Sequence, residues 1–343
     1  MNYLLLFVPV SITLRLLGID SVLLFISSSL AIIPLAVYVA RSTSEVAKHV
    51  GPAVGGFLNV TFGNATEIII SLFAIIDGLL SFVKAAITGS IVSNLLLLLG
   101  LAFLFGGIKF NRQKFNDLLA VTNSAMLMLA VSAMLIPAVF HFASPNIKNE
   151  VLGSLSLGVA VILFLTYFSS LFFTMGTHKG LIGGHVRKTD WEWSLRKAVF
   201  LLAISTTLVA VESNILVKSI EGVEEAFGLS RVFIGVVIIP VISNAAEHLT
   251  AILMAREDRM DLSLNIALGS SIQVSLFIVP SLIIISHLLG HPMNVLFSPF
   301  QIVSIFTAAL VVNVINARGE SNWFEGVQLL ATYLIIALAF FFL

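Results

Sequence analysis

Cysteine is absent from all 343 residues, which excludes disulfides, thiolate-bound zinc and iron–sulfur clusters and leaves the redox compartment unmarked. Charge is scarce as well. Lys, Arg, Asp and Glu make up 10% of the chain, against roughly 25% in a soluble domain, so an ordinary soluble enzyme is disfavoured. The 18 basic and 18 acidic residues cancel, which leaves no basic excess for nucleic acid and no polyelectrolyte partner to expect. Seven His residues are scattered without zinc-ligand spacing. What remains is apolar: 58% of residues are hydrophobic and the mean hydropathy is +1.07.

Apolar runs of about 20 residues, each long enough to cross a bilayer core as a helix, recur from end to end. They lie near residues 3–18, 22–40, 54–76, 80–107, 117–142, 150–176, 196–219, 232–255, 263–288, 298–316 and 323–342. The pattern predicts an all-α membrane protein of about eleven transmembrane helices with no stretch left for a soluble domain. The first run is short, but Arg15 lies inside it, no charged stretch precedes it and no small-x-small site follows, so it is expected to stay as a helix.

Lys and Arg fix the orientation, because cytoplasmic loops carry their excess. Thirteen of them (Arg41, Lys48, Lys109, Arg112, Lys114, Lys179, Arg187, Lys188, Arg196, Lys197, Arg256, Arg259 and Arg318) fall on the side of the N-terminus and the even-numbered loops. Five (Arg15, Lys84, Lys148, Lys218 and Arg231) fall on the other. The expectation is a multi-pass protein of the cell membrane, or alternatively of an organelle, with the N-terminus cytoplasmic and the C-terminus on the opposite side. Lipid is its structural partner, and a homo-oligomer stays open.

The chain also repeats itself. At an offset of 180 residues Gly55 falls on Gly235, Asn64 on Asn244, Ala65 on Ala245, Glu67 on Glu247, Gly89 on Gly269 and Ser90 on Ser270, without a gap. Glu45 on Glu225 extends the register upstream. Equivalent runs are five spans apart, an odd number, so the second copy is inserted upside down relative to the first. The expected organisation is an N-terminal helix (1–20), a first five-helix repeat (21–176), a cytoplasmic loop (177–193) and a second five-helix repeat (194–343). Inverted repeats of this kind surround a pseudo-two-fold axis in the membrane plane and place a substrate site near the midplane, where the copies meet. A channel, a structural bundle or a membrane enzyme of duplicated origin are the other readings of the repeat.

Within the third and eighth runs stand Asn64 and Glu67, and Asn244, Glu247 and His248. On a helix each Asn shares a face with the Glu three residues on. A carboxylate in the hydrocarbon is costly unless paired, hydrated or protonated, which makes each of these Glu residues a candidate functional group. The following helices add Ser90, Ser93 and Asn94 in one copy and Ser270 and Gln273 in the other; Gly89 and Gly269 read as packing contacts. Two carboxylates with amide, hydroxyl and backbone oxygens, and no thiolate, suit a hard cation. Calcium is favoured and manganese comes next.

Pro240, four residues before Asn244, frees a backbone carbonyl, and Gly63 gives weaker laxity beside Asn64. An empty pair of carboxylates in an apolar site holds protons rather than two bare charges, so cation and protons compete for the same oxygens. His248 reads equally as a relay for that exchange or as a hydrogen-bonded core residue, its counterpart being Ile68. No cofactor is expected; the ions are cargo.

The strings GPAVGGFLNVTFGNATEIIISLFA and GVVIIPVISNAAEHLTAI, followed by GSIVSN and LGSSIQ, resemble the Ca²⁺/H⁺ antiporter family of the cation/Ca²⁺ exchanger superfamily over nearly the whole chain. The resemblance implies an extra N-terminal helix before two inverted five-helix halves. It also implies Glu67 and Glu247 as the carboxylates that bind calcium and protons in turn, with Asn64, Asn244, Ser90, Ser270 and Gln273 around them.

There are departures. The loop 177–193 is short and basic around His178, Lys179, Arg187 and Lys188, where some members carry an acidic segment, and Ser213–Asn214, with Glu212 just before, stands where a Ser-Glu pair is usual. Asn94 faces Val274 in the other copy. The Glu221, Glu224, Glu225 cluster reads as a solvated helix end or as a cation-gathering mouth.

A Na⁺/Ca²⁺ exchanger or another divalent cation/H⁺ antiporter is the runner-up. An intramembrane hydrolase would need a nucleophile with its base or a metal-bound water, and neither His-Glu-x-x-His nor Gly-x-Ser-x-Gly occurs. Not being an enzyme is therefore the expectation.

Overall fold

A computed structural model describes residues 2–144, 146, 148–177 and 192–343. The basic residues His178, Lys179, Arg187 and Lys188 of the inter-repeat loop lie outside them. Backbone amides find no water in a bilayer, and the described chain is helical almost throughout, as that constraint requires.

After a 3-10 turn, α1 (Phe7–Leu16) is followed by α2 (Ser21–Val50), a bent pair α3a (Pro52–Gly63) and α3b (Ala65–Ile76), and α4 (Leu80–Lys109). α5 (Asp117–Ala143) and α6 (Asn149–Phe172) complete the first half. The second half repeats the order with α7 (Leu195–Phe227), the bent pair α8a (Arg231–Ser243) and α8b (Ala245–Arg256), α9 (Met260–Leu288), α10 (Pro299–Asn316) and α11 (Trp323–Phe341). Among the described residues eight helices are long and apolar enough to cross a membrane, and ten spans result when each bent pair counts as one. The eleventh expected span is α1, which even with its preceding turn covers only Tyr3–Leu16 and is shorter than a full crossing.

Hydropathy predicts ends near 40 and 219 for the second and seventh spans, but α2 continues to Val50 and α7 to Phe227. The apolar run marks the hydrocarbon, whereas the helical ladder continues into the polar interface, where Glu45 pairs with Lys48 at 2.5 Å and Glu224 with Arg231 at 2.5 Å. Gly51 ends α2 at φ 85°, a backbone that a side chain would strain, and Pro52 then opens α3a at the one helical position where a missing N–H costs nothing.

Packing between the halves follows the repeat. α2 lies along its counterpart α7, α4 against α9, and α5 against α10. α6 packs on α9 while its counterpart α11 packs on α4; α3b packs on α7 while α8b packs on α2. Each contact thus has a mate generated by exchanging the copies, as a two-fold relation demands, and helices five spans apart run in opposite directions because successive spans alternate. Among the described residues the strands are confined to an antiparallel ladder of β1 (Gln113–Lys114) with β2 (Glu320–Ser321), which joins the loop after α4 to the loop before α11.

Candidate cation site

The third and eighth spans, which hydropathy presents as continuous runs, are each broken at the repeated asparagine. α3a and α3b meet at 51° around Asn64, and α8a and α8b at 59° around Asn244. Asn is a weak helix former, and at the break its side chain is released from the helix to bond elsewhere. Each Asn stands at the break as the cap of the helix beyond it, and each Glu, three residues on, lies in the first turn of that helix.

The helices carrying the serines are irregular at matching places. α4 widens to π-helical geometry over Ser93–Leu98 and α9 over Val274–Ile278, segments that end at equivalent residues; α8a widens over Ile234–Ile238, just before Pro240. Such bulges loosen the backbone ladder and recur at functional sites.

These irregularities bring the polar groups together across the halves. Asn64 Nδ2 donates to Gln273 Oε1 at 2.6 Å, and its Oδ1 accepts from Ser270 Oγ at 3.1 Å. Asn94 Nδ2 donates to Ser270 Oγ at 2.9 Å, and Asn244 Nδ2 to Ser90 Oγ at 3.4 Å. Ser93 Oγ lies 3.4 Å from His248 Nε2. Asn64, Ser90, Ser93, Asn94, Asn244, His248 and Ser270 are all buried, as is Glu67. One oxygen each of Glu67, Glu247, Asn94 and Asn244 is buried without a hydrogen-bond partner. Acceptor oxygens left bare in an apolar interior are unfavourable by about 1–3 kcal/mol each, more for charged ones, and a cation or protons remove that penalty.

Two pockets meet the site. A cavity of about 540 Å³ reaches Glu247 between α2, α3a, α3b, α8b and α9, past Arg41, Asn59, Thr66, Thr250, Asn265, Gly269, Ser270 and Gln273. On the equivalent side of the other copy, Glu67, Ile70, Ala86 and Ser90 line a remnant of about 10 Å³. These four are the counterparts of Glu247, Thr250, Ile266 and Ser270, all of which line the open cavity. The same half-site is therefore open in one copy and closed in the other.

Gly269 was expected as a packing contact, but it lies on the cavity wall, and a Cβ there would meet nothing within 4 Å. Thr66, Ser243, Thr250 and Asn265 also line the cavity without having been singled out by the sequence pattern. Their signal was there: Thr66 adjoins Glu67, and Ser243 and Thr250 lie four residues before and three after Glu247.

A broken-helix pair around buried carboxylates, repeated with inverted order and open on one side only, defines an inverted-repeat membrane carrier. The family model for the sodium/calcium exchanger protein matches twice, over residues 20–176 and 197–342, and the chain belongs to that family. The Ca²⁺/H⁺ antiporter of Aphanothece halophytica is 43% identical over 99% of this chain and 95% of its own length. The Ca²⁺/H⁺ antiporter ChaA of Bacillus subtilis (strain 168) is 41% identical over 98% and 97%. The solved structure of native YfkE superposes with a TM-score of 0.86 at 39% identity, covering 98% of this chain and 97% of that one. The resemblance read from the GNATE and SNAAEH strings is confirmed.

Proposed function

We propose that the protein exchanges Ca²⁺ for H⁺ across a membrane by alternating access, as a carrier without covalent chemistry. The observation that carries this reading is the pair of equivalent half-sites, one opening into about 540 Å³ and the other closed to about 10 Å³ around a shared set of oxygens. Its full-length relatives named Ca²⁺/H⁺ antiporter support the choice of ions. Two carboxylates balance one divalent cation, and neutral oxygens from Asn64, Asn94, Asn244, Ser90, Ser93, Ser270 and Gln273 complete the flexible shell of six to eight ligands that calcium takes. Magnesium, which gives up its water reluctantly, fits such a site less well.

In this reading Glu67 and Glu247 hold either the cation or protons. His248 Nε2 lies 3.4 Å from Ser93 Oγ, the hydroxyl through which a proton relay by this imidazole would run. Residues 21–176 and 194–343 are the two inverted halves, a division that the double family match supports. With the N-terminus in the cytoplasm, as the Lys and Arg distribution favours, Arg41 and Arg256 mark the cytoplasmic face and the open cavity faces inward.

The deciding experiment is calcium flux in liposomes containing the purified protein, with a pH gradient imposed and sodium absent. Uptake that follows the proton gradient supports the exchange. Uptake that needs sodium and ignores pH moves the assignment to Na⁺/Ca²⁺ exchange.

A further inference from the structure

The mouth of the open cavity carries a charge arrangement that the exchange itself does not require. Arg41 of α2 lines the cavity. Its guanidinium donates to Glu192 Oε2 at 2.6 Å and sits 4.7 Å from the centre of the Trp193 ring. Trp193 is itself held in place: its backbone N–H donates to the buried Glu45 carboxylate at 3.1 Å, its carbonyl oxygen lies 3.0 Å from His49 Nε2, and Lys197 lies 5.1 Å from its ring centre.

The Arg41–Glu192 pair is more than half exposed on both sides, so it contributes little to stability. Its position is what matters. The residue equivalent to Arg41 in the second copy is Glu221, and the one equivalent to Ser44, another cavity-lining residue, is Glu224. A positive group stands at the open mouth where the repeat places a negative one on the closed side.

We propose that Arg41 and Glu192 form a charge-balanced pair that sets the apparent affinity for the divalent cation at the open mouth. This rests on the reading of the cavity as the cation's way to Glu247. Arg41 places a repelling charge beside that path; Glu192 cancels it, and the Trp193 ring keeps the guanidinium against its partner. An uncompensated unit charge about 10 Å from a divalent ion changes the ion's local concentration about fourfold in water at low ionic strength, and less than about twofold at 0.15 M salt. Apparent affinity at the two faces then differs although the binding oxygens are shared.

The test uses the full-length protein in everted and right-side-out membrane vesicles, with Ca²⁺ itself as the probe and half-saturation of pH-driven uptake as the readout. Glu192→Gln is expected to raise the half-saturating Ca²⁺ concentration about threefold to fourfold at low ionic strength, and Arg41→Gln to lower it by a similar factor. The double variant, which restores neutrality, is expected to return close to the parent value. All shifts shrink at 0.15 M salt and are confined to the face on which the cavity opens. Single variants that shift in the same direction, shifts independent of salt, or equal shifts at both faces overturn the proposal. If the parent protein shows no pH-driven calcium uptake at all, the exchange reading fails first and takes this one with it.

Discussion

Gly89 and Gly269 occupy equivalent positions in the two halves and meet opposite surroundings. A Cβ on Gly89 would collide with the Val236 carbonyl oxygen and lie 2.5 Å from Pro240 Cγ, whereas one on Gly269 would meet nothing within 4 Å. α8a is thus pressed onto α4, while its counterpart α3a leans on α2, with Gly55 2.9 Å from the Ala47 carbonyl oxygen by the same measure, and leaves α9 facing the cavity.

Exchange of the two arrangements predicts opposite effects for two identical substitutions. Gly89→Ala should loosen the closed face and shift the population away from the state described. Gly269→Ala fits this state but blocks the approach of α3a to α9, so it should hold the cavity open and reduce turnover by about tenfold or more. The absence of native cysteine provides the readout, because an introduced Asn59→Cys in the cavity wall is then the sole thiol. Its labelling rate should rise with Gly269→Ala and fall with Gly89→Ala. Changes of the same sign would sink the argument.

Glu67→Gln and Glu247→Gln should each reduce calcium transport by more than about a hundredfold while the protein still folds, since a divalent cation then meets one carboxylate in a low-dielectric site. Ser90→Ala and Ser270→Ala remove one neutral oxygen of several, and a loss of about tenfold or less is expected. Flux assays on protein of normal thermal stability check both. Near-normal flux in either Gln variant would remove these carboxylates from the mechanism.

Ser11 of α1 lies 2.7 Å from both oxygens of Glu212, which is fully buried on α7. Ser11→Ala leaves that carboxyl group without its partner and should cost about 1–3 kcal/mol. Pairing Ser11→Ala with Glu212→Leu removes both polar groups and should recover most of the loss. Thermal unfolding in detergent distinguishes the cases; equal stability of the single variant and the parent would show the contact to be idle.

The spans, the repeat and the candidate residues that the structure brings together were legible because each rests on one-dimensional pattern: an apolar run, a fixed offset of 180, a carboxylate where none is cheap. The breaks at Asn64 and Asn244 were not. A run such as GGFLNVTFGNATEIIISLFA satisfies hydropathy whether the helix is straight or bent, and Gly63 and Pro240 signal laxity without fixing an angle. The cross-bonds from Asn64 to Gln273 and from Asn94 to Ser270 join residues about 180–210 positions apart and depend on which helices pack, information that a single sequence does not carry. For the same reason the Ser11–Glu212 contact had no signal, and the repeat could not show which of two equivalent half-sites stands open.

Orientation has its own test. A reporter fused after Leu343 should face away from the cytoplasm and one inserted within 177–193 should face it, since thirteen of the eighteen Lys and Arg residues were assigned to the cytoplasmic side. Both reporters on one side would mean that the span count or the inversion is wrong.

Coupling follows from charge. In the proposed mechanism the Glu67–Glu247 site is close to neutral with Ca²⁺ bound or with protons on both carboxyl groups; empty and doubly ionised, it would place two bare charges in hydrocarbon. Only the loaded forms pass cheaply between the open and closed arrangements, and a carrier restricted in that way exchanges one ion for the other. Vesicle uptake of Ca²⁺ should therefore require an acid interior. As the outside pH falls, protons occupy the same oxygens, so the half-saturating Ca²⁺ concentration should rise while the maximal rate at saturating Ca²⁺ changes little. A sodium gradient of either sign should leave the rate unchanged. Measuring initial uptake across a series of outside pH values at fixed interior pH tests this directly: an affinity that does not move with pH would separate the proton from Glu67 and Glu247 and place the coupling elsewhere in the chain.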